Sequence, residues 1–497
     1  MTDLILEPLT TAERYEPAKW QEEHLAKLTE LPYSANWSEM GCYKTTSGLW
    51  LMDRLRKKEG KRGVACLVVT SKGGKGPYYD AFPKTLPDWR MYTVDRRKIT
   101  ERIDDVDFPV DAEDLLQSCE LGYLNYPTIL LAHFECFQNN SAVLAGLKKI
   151  PWFMVLVDEA HRIKNRELMW TRNIKRLNTK YKHVMTGSGF VNRPDEIYSL
   201  LNFLDKNRWS SYWRFREYFC DEFIDQAGYR HILGLNTNRV AEFRQLREDL
   251  GPNHKLEEVR KDIPKPNIVA RLVDLNPTQR RMYNEIRSTL QTMDQQGLPI
   301  SSPNVLSQLN RLRQVCIATP EVVDQKFDPV AGRIITQIKL TEPSSKLDDL
   351  MDVIDELRWD SESKQQIVVF CSFKDPLYLL EARLGKKNIP YIHMEEKHST
   401  NKRYQLWHNE FPQKNHQVFM STVQLGGESI NLTPAAYMGF LDRDWSPKNT
   451  KQPIGRGYRP GQTQALEVIH FQAVDTIDQR IERLLAQKDS WFDAIFG

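Results

Sequence analysis

The chain has 497 residues, too many for one hydrophobic core and enough for two or three domains. At 40% hydrophobic and 27% charged it has a globular composition, and no apolar run approaches the ~20 residues that span a bilayer. The 69 Lys and Arg against 66 Asp and Glu leave a net charge of only +3, so any polyanion-binding surface has to be local. Met1-Thr-Asp-Leu-Ile-Leu-Glu7 has no basic flank or long apolar core, so no secretory signal is expected. The seven cysteines are scattered without a Cys-x-x-Cys pair, a pattern that argues against a zinc site or disulfide framework. An intracellular, soluble protein in a reducing compartment is expected, with no membrane partner.

Short Val/Ile-rich runs alternate with helical patterns at both ends of the chain. In order they are Val64–Thr70, Thr128–His133, Phe153–Val157 and His183–Thr186, then Gln366–Cys371, Gln417–Ser421 and Ala465–His470. Continuous apolar strands followed by helices predict parallel sheets buried on both faces. The expected fold class is therefore α/β, with two parallel-sheet lobes over 1–205 and 339–497. Between them, 206–338 is aromatic and charged with helical spacing, as in Trp209 to Phe223 and Gln279 to Met293. Turn clusters at Leu250-Gly-Pro-Asn253 and Gly297-Leu-Pro-Ile-Ser-Ser-Pro303 divide this block, which is expected to hold helical insertions and the connection between lobes.

Two segments carry chemistry. Val155-Leu-Val-Asp-Glu-Ala-His161 is an apolar strand that ends in adjacent carboxylates. Burying such a pair without a counter-ion is costly, which implies a cation: Asp158 reaches magnesium and Glu159 polarises a water beside a phosphate. Upstream, Ser38-Glu-Met-Gly41-Cys42-Tyr43-Lys44-Thr45-Thr46 precedes the first long helical pattern. A loop of this kind offers backbone N–H groups and a helix N-terminus to phosphates. Lys44 would reach the β- and γ-phosphates and Thr45 would ligate Mg2+, so ATP with Mg2+ is the expected cofactor pair.

These motifs, with others in the same order, resemble the Swi/Snf-type branch of superfamily 2 helicase-like ATPases, double-stranded-DNA translocases with two RecA-like lobes. Ser38 to Thr45 matches the family's Asp-Glu-Met-Gly-Leu-Gly-Lys-Thr, and Asp158 to His161 supplies its DEAH-type box. Thr186-Gly-Ser-Gly-Phe-Val-Asn-Arg193, continuing through Ser199-Leu-Leu-Asn-Phe-Leu204, matches its third motif. In the second lobe, Thr422-Val-Gln-Leu-Gly-Gly-Glu-Ser-Ile-Asn-Leu-Thr433, Asp444-Trp-Ser-Pro447 and Gln452-Pro-Ile-Gly-Arg456-Gly-Tyr-Arg459-Pro-Gly-Gln462 match three more. Ser345-Lys-Leu347 and Leu312-Arg-Gln-Val-Cys316 match weaker signatures between the lobes.

The resemblance implies roles residue by residue. Gln21 stands where the family reads adenine, although a surface glutamine on an amphipathic helix fits the same pattern. Gly41, Cys42, Tyr43, Lys44, Thr45 and Thr46 form the phosphate loop, and Thr45 with Asp158 holds Mg2+. Glu159 activates water. Arg456 and Arg459, three apart and so expected on one helix face, are implied arginine fingers. His161, Thr186, Ser188, Gly427 and Gln452 couple nucleotide state to movement; a plain turn at Thr186–Ser188 fits as well. Ser71, Lys72, Ser372 and Thr422 are implied nucleic-acid grips. Trp445 lies either on the sugar-phosphate track or in a core. The cluster Arg54-Leu-Arg-Lys-Lys58 is expected to be the solvated end of the helix after the phosphate loop.

The departure that matters is Tyr43, where the family has glycine. If that position needs positive φ, tyrosine is strained there by ~1–2 kcal/mol, and turnover is expected to be retuned rather than lost. The expected partner is DNA, double-stranded or branched, with RNA ranked second. The competing readings are a strand-separating DNA or RNA helicase and a degenerate, nucleotide-gated DNA-binding module with little turnover. The compact form resembles bacterial or phage members, with lobes that run almost to both ends and no flanking targeting module expected. A bacterial or phage protein would be cytoplasmic; a eukaryotic one, nuclear.

Overall fold

A computed structural model describes residues 14–103, 106–138, 141–187, 194–225, 228–301, 305–328, 333–357, 359–360, 363–426, 430–459, 461–462 and 464–496. The contacts form two compact units: Met1–Val259 with Trp491–Gly497, and Arg260–Ser490. Residues 206–338 are thus divided between the two units.

The first unit is built on eight strands. They are β1 (Tyr33–Asn36), β2 (Ala65–Thr70), β3 (Arg90–Val94), β4 (Ile99–Ile103), β5 (Val106–Val110), β6 (Thr128–His133), β7 (Trp152–Asp158) and β8 (Thr179–Met185). They lie in the order β1-β8-β7-β2-β6-β3-β4-β5. The first six in that order are parallel, whereas β4 and β5 add an antiparallel edge. Alternate residues of the central strands enter two different cores. Leu67, Val69, Leu130, Val155 and Val157 pack into one; Cys66, Val68, Ile129, Leu131, Met154 and Leu156 pack into the other. A period of two with both faces apolar makes these runs continuous in sequence, and that is why they were legible.

The helices covering this sheet include α1 (Lys19–Thr29), α2 (Lys44–Lys58), α3 (Gly76–Thr85), α4 (Ala112–Leu121), α5 (Ala142–Lys149), α6 (Met169–Ile174), α7 (Tyr198–Leu204), α8 (Tyr212–Phe219) and α9 (Val240–Leu250). Helix α2 sits close on β7: a Cβ at Gly48 would fall 2.6 Å from Leu156 Cδ1. It ends at Lys58, and Arg54, Arg56 and Lys58 there pair with Glu22, Asp53 and Glu30. A hairpin of β9 (Cys220–Ile224) and β10 (Arg230–Leu235) also belongs to this unit.

The second unit contains β11 (Asn267–Val273), the pair β12 (Gln291–Met293) and β13 (Pro299–Ser301), and the pair β14 (Thr319–Asp328) and β15 (Arg333–Thr341). It continues with β16 (Ile367–Cys371), β17 (Tyr391–Met394), β18 (Val418–Thr422), β19 (Tyr437–Phe440) and β20 (Glu467–Ala473). Its main sheet runs β11-β20-β19-β16-β18-β17, all parallel. Lys346, in the helix Ser345–Glu356, is fully buried, with its ammonium 2.6 Å from Asp478 Oδ2 and donating to Leu441 O. The two α/β lobes of the sequence reading are therefore present.

The structure departs from the reading in three places. The helical patterns at 209–223 and 279–293 stop early: α8 gives way to β9 at Cys220, and the helix Pro277–Thr289 ends where Leu290 turns left-handed (φ 63°) before β12. The block read as helical also holds the three hairpins β9–β10, β12–β13 and β14–β15, whose pairing side-chain periodicity does not report. Arg459 is not on a helix with Arg456. That helix, Lys448–Gly457, ends before it, because Arg459 precedes Pro460 and the residue before proline is disfavoured in the helical region.

Candidate nucleotide site

In the first unit, β1 delivers the chain into the loop Trp37–Tyr43, which a later segment pins in place. Trp37 N–H donates to Pro252 O (2.8 Å) and Glu39 N–H to His254 O (2.9 Å). His254 N–H donates to Ser38 Oγ (3.1 Å) and Leu256 N–H to Glu39 Oε2 (2.9 Å). The sequence held no signal for this brace, since the partners lie more than two hundred residues apart. Within the loop Gly41 has φ 85° and Tyr43 has φ 51°. Tyr43 thus occupies the left-handed region at a cost of about 1 kcal/mol, with its side chain 41% exposed.

Helix α2 starts at Lys44, so the N–H groups of its first turn face the loop. Lys44 Nζ donates to Ser38 O (2.8 Å) and Glu39 O (2.6 Å), both carbonyls of the loop it would serve. Thr45 is half-buried, while the Thr46 and Ser47 hydroxyls donate back to Tyr43 O. Gln21 is buried. Its Oε1 accepts from Ala18 N (2.9 Å) and its Nε2 reaches Ser47 Oγ (3.4 Å), which places it beside the first turn of α2. Cys42 is buried with its thiol pushed up to about 12 by burial, so it packs the loop rather than reacting. Thr186 N–H donates to Asn36 O. A Cβ on the next residue, Gly187, would fall 2.7 Å from Lys44 Nζ and 3.0 Å from Met40 N. The stretch after β8 therefore touches the phosphate loop.

Asp158 closes β7. Its Oδ1 accepts from Glu159 N–H (2.8 Å), and its Oδ2 from the hydroxyls of Tyr78 (3.3 Å) and Thr70 (3.4 Å). Burial and then the charge of Glu159 raise its pKa to about 6, against the opposing pull of Lys44. Glu159 is left-handed (φ 50°) and lies 3.3 Å from the ring of buried His161. A desolvated Asp158 with the half-buried Glu159 beside it, near a lysine, fits a divalent cation. Among the described residues no group of three or more His, Cys, Asp or Glu forms a self-sufficient metal site. Magnesium takes one or two carboxylates and completes its shell with phosphates and water. Asp158 and Thr45 would hold it.

At the same edge of the sheet a charged chain runs from Lys75 to Asp95 (3.2 Å), His133 (3.0 Å), Glu135 (2.9 Å) and Arg162 (3.8 Å). Burial alone would lower His133; Asp95 and Glu135 overcome it and raise its pKa to about 10, so it is a cation. Next to this chain Ser71 Oγ accepts from Gly74 N–H (3.0 Å), and Lys72 is exposed. Gly74 is obligatory, since a Cβ there would fall 2.2 Å from Thr70 Oγ1.

The second unit has its own polar edge. Ser372 and Thr422 follow or end neighbouring strands, in register through Cys371 and Thr422. Ser372 N–H donates to Asp442 Oδ1 (2.7 Å), and buried Arg313 bridges Asp442 (2.7 Å) and Ser372 Oγ (3.2 Å). Arg313 lies in the weak signature Leu312–Cys316, but the sequence reading gave it no role. Trp445 is half-buried against the helical core around Met282 and Ile286, which favours the packing alternative. Gln452 and Arg456 are buried on the helix Lys448–Gly457. Arg459 donates to Ile430 O (3.2 Å), and burial with the nearby charge of Arg456 lowers its pKa to about 9. Ser188 and Gly427 lie outside the described residues.

A helix N-terminus behind a glycine-bearing loop, a lysine and a half-buried carboxylate pair at the carboxyl edge of a parallel sheet define a nucleotide-binding α/β unit of the helicase-like class. The family comparison is more specific. Residues 38–320 match the SNF2-related domain, and residues 345–461 match the helicase conserved C-terminal domain. The chain belongs to the SNF2-related family of helicase-like ATPases. It is 28% identical over 370 residues to the CHD3-type chromatin-remodeling factor PICKLE of Arabidopsis thaliana, covering 72% of this chain and 25% of that one. It is 24% identical over 363 residues to the uncharacterized ATP-dependent helicase YqhH of Bacillus subtilis (strain 168), covering 70% of this chain and 60% of that one. A solved Sulfolobus solfataricus SWI2/SNF2 ATPase core in complex with dsDNA aligns over 98% of this chain and 94% of its own, at 20% identity and a TM-score of 0.41. The chain spans about a quarter of PICKLE and less than two thirds of YqhH. Among the described residues no helix is long and apolar enough to cross a membrane.

Proposed function

We propose that the protein is an ATP-dependent DNA translocase that hydrolyses MgATP to move along duplex or branched DNA. The observation that carries this reading is Asp158. It is a desolvated carboxylate held near pKa 6 beside Glu159, and the same unit presents Lys44 at a helix N-terminus. In this reading the loop Gly41–Thr46 and Lys44 bind the phosphates, Thr45 and Asp158 hold Mg2+, and Gln21 reads the adenine. Glu159 orients the attacking water, and Arg456 and Arg459 neutralise charge on the transferred phosphoryl group. His161, Thr186, Ser188, Gly427 and Gln452 pass nucleotide state to the grips on DNA, which are Ser71, Lys72, Ser372 and Thr422. Contacts to backbone rather than bases give little sequence preference. The relatives named above as chromatin-remodeling factor and ATP-dependent helicase support a nucleic-acid substrate, with duplex DNA ahead of RNA.

Tyr43 at φ 51° favours one alternative, a nucleotide-gated DNA-binding module with little turnover. One experiment separates the two. ATP hydrolysis with Mg2+ is measured without nucleic acid and with single-stranded DNA, duplex DNA, branched DNA and RNA. Glu159→Gln is the control, expected to lower turnover by about 10²–10⁴. Stimulation by duplex or branched DNA that Glu159→Gln abolishes supports the translocase. Nucleotide-dependent DNA binding with no hydrolysis above that control supports the gated module instead.

A further inference from the structure

Away from the nucleotide loop and from Asp158, the first unit carries a cavity of about 620 Å³ between α6, α7 and the start of α8. Three cations line it: Arg166 before α6, Arg172 within it and Lys175 at its end. The only carboxylate among the lining residues is the exposed Glu167. Among the described residues none of the three cations forms an ion pair. Lys175 Nζ instead donates to the Asn202 amide oxygen (3.0 Å), and Arg166 lies 3.7 Å from the centroid of the Tyr212 ring. The Tyr212 hydroxyl donates to Asp195 Oδ2 (2.6 Å), which fixes the ring that carries Arg166. Burial and then the charge of Arg166 pull Lys175 down to about 7. Gathering three cations around one exposed carboxylate costs free energy that an arriving anion recovers.

The rim has a second character. Trp213 is 61% exposed, packs edge-on to Tyr212 and has the Arg216 guanidinium 5.6 Å from its ring centroid, which leaves room for a base on the ring's other face. Around it Lys206, Arg208 and Arg214 are exposed, so aromatic and basic residues interleave along 206–216. Cations that meet phosphates beside an open aromatic face that stacks a base are the recognition chemistry of an unpaired strand. A bound phosphopeptide would use the cations but would leave Trp213 idle.

We propose that this cavity is a binding site for single-stranded nucleic acid, in which Arg166, Arg172 and Lys175 take backbone phosphates and Trp213 stacks a base. None of the duplex grips or nucleotide ligands assigned above is part of it. The proposal extends the nucleic-acid reading of the protein, but its test needs neither ATP nor duplex DNA.

The test uses the full chain without nucleotide and a fluorescently labelled oligo(dT), with binding followed by anisotropy across a salt series. The double variant Arg172→Gln/Lys175→Gln is expected to bind at least tenfold more weakly. Its slope of log affinity against log salt should be shallower by about 1.4, the loss of two phosphate contacts at ~0.7 each. Trp213→Ala is expected to weaken binding by roughly tenfold, and Trp213→Phe to restore most of it. If the double variant does not fold by circular dichroism, the two exposed Trp213 variants decide alone. Oligo(dT) affinity unchanged by Trp213→Ala overturns the proposal. So does displacement of oligo(dT) by a phosphopeptide at equal strength from wild type and Trp213→Ala, which would make the cavity a general phosphate site. Absence of duplex-stimulated hydrolysis would sink the translocase reading and leave this comparison readable.

Discussion

The two units carry opposite electrostatic deficits, a carboxylate at the end of β7 in the first and a guanidinium after the helix Lys448–Gly457 in the second. In the first unit the critical group is a carboxylate. Burial and then the charge of Glu159 raise the pKa of Asp158 to about 6, and Lys44 offsets only part of this. In the second unit the critical group is a guanidinium. Arg459 is lowered to about 9 by burial and by Arg456, and among the described residues it forms no ion pair. Elsewhere in both units charges are paired, as in Lys75–Asp95–His133–Glu135 and in Arg313–Asp442. In the proposed function, magnesium would answer the deficit at Asp158 and a phosphate the deficit at Arg459.

If that division is right, breaking matched charges should cost stability, whereas breaking mismatched ones should cost turnover. The largest stability effect is expected at Lys346, whose replacement by Ala strands Asp478 in the core of the second unit. Urea denaturation of Lys346→Ala should show a loss of about 3–5 kcal/mol. His133→Gln should cost less, about 1–3 kcal/mol, because its partner Asp95 is 42% exposed. This loss has a pH signature. His133 has a folded pKa of about 10 against an ordinary value of 6.5. Its stabilisation is therefore fully present below pH 6.5 and is lost as pH rises toward 10. The gap in denaturation midpoint between wild type and His133→Gln should close over that range; a gap that widens would contradict the assignment. Tyr43→Gly should be smallest. Relief of about 1 kcal/mol of left-handed strain is offset by the added chain entropy of glycine. The melting temperature should hardly move, while hydrolysis rises by a few-fold at most.

Sequence alone made one kind of structure legible and hid another. Strands β2, β6 and β7 could be read because both their faces are buried and they carry almost nothing polar. The short β1, with Ser34 and Asn36 in its four residues, and β11, exposed along much of its length, gave no such run. Lys44, Asp158 and Glu159 could be named because their chemistry is local, set by a helix start or a strand end. The brace from Pro252 and His254 onto the phosphate loop and the Arg313–Asp442 bridge depend on distant segments meeting. So does the boundary at Val259–Arg260, which divides a stretch that reads as one block. Composition and spacing carry no record of such meetings. The left-handed turn at Leu290 is hidden for another reason: leucine is a residue that periodicity reads straight through.

In the proposed function, Arg459 serves the hydrolysis of MgATP. Single-turnover hydrolysis of MgATP by Arg459→Ala, beside wild type and with duplex DNA present, tests it most directly once MgATP affinity has been measured for both. The account predicts a rate about 10³ or more below wild type with affinity changed by no more than about tenfold. Hydrolysis at the wild-type rate by Arg459→Ala would contradict it.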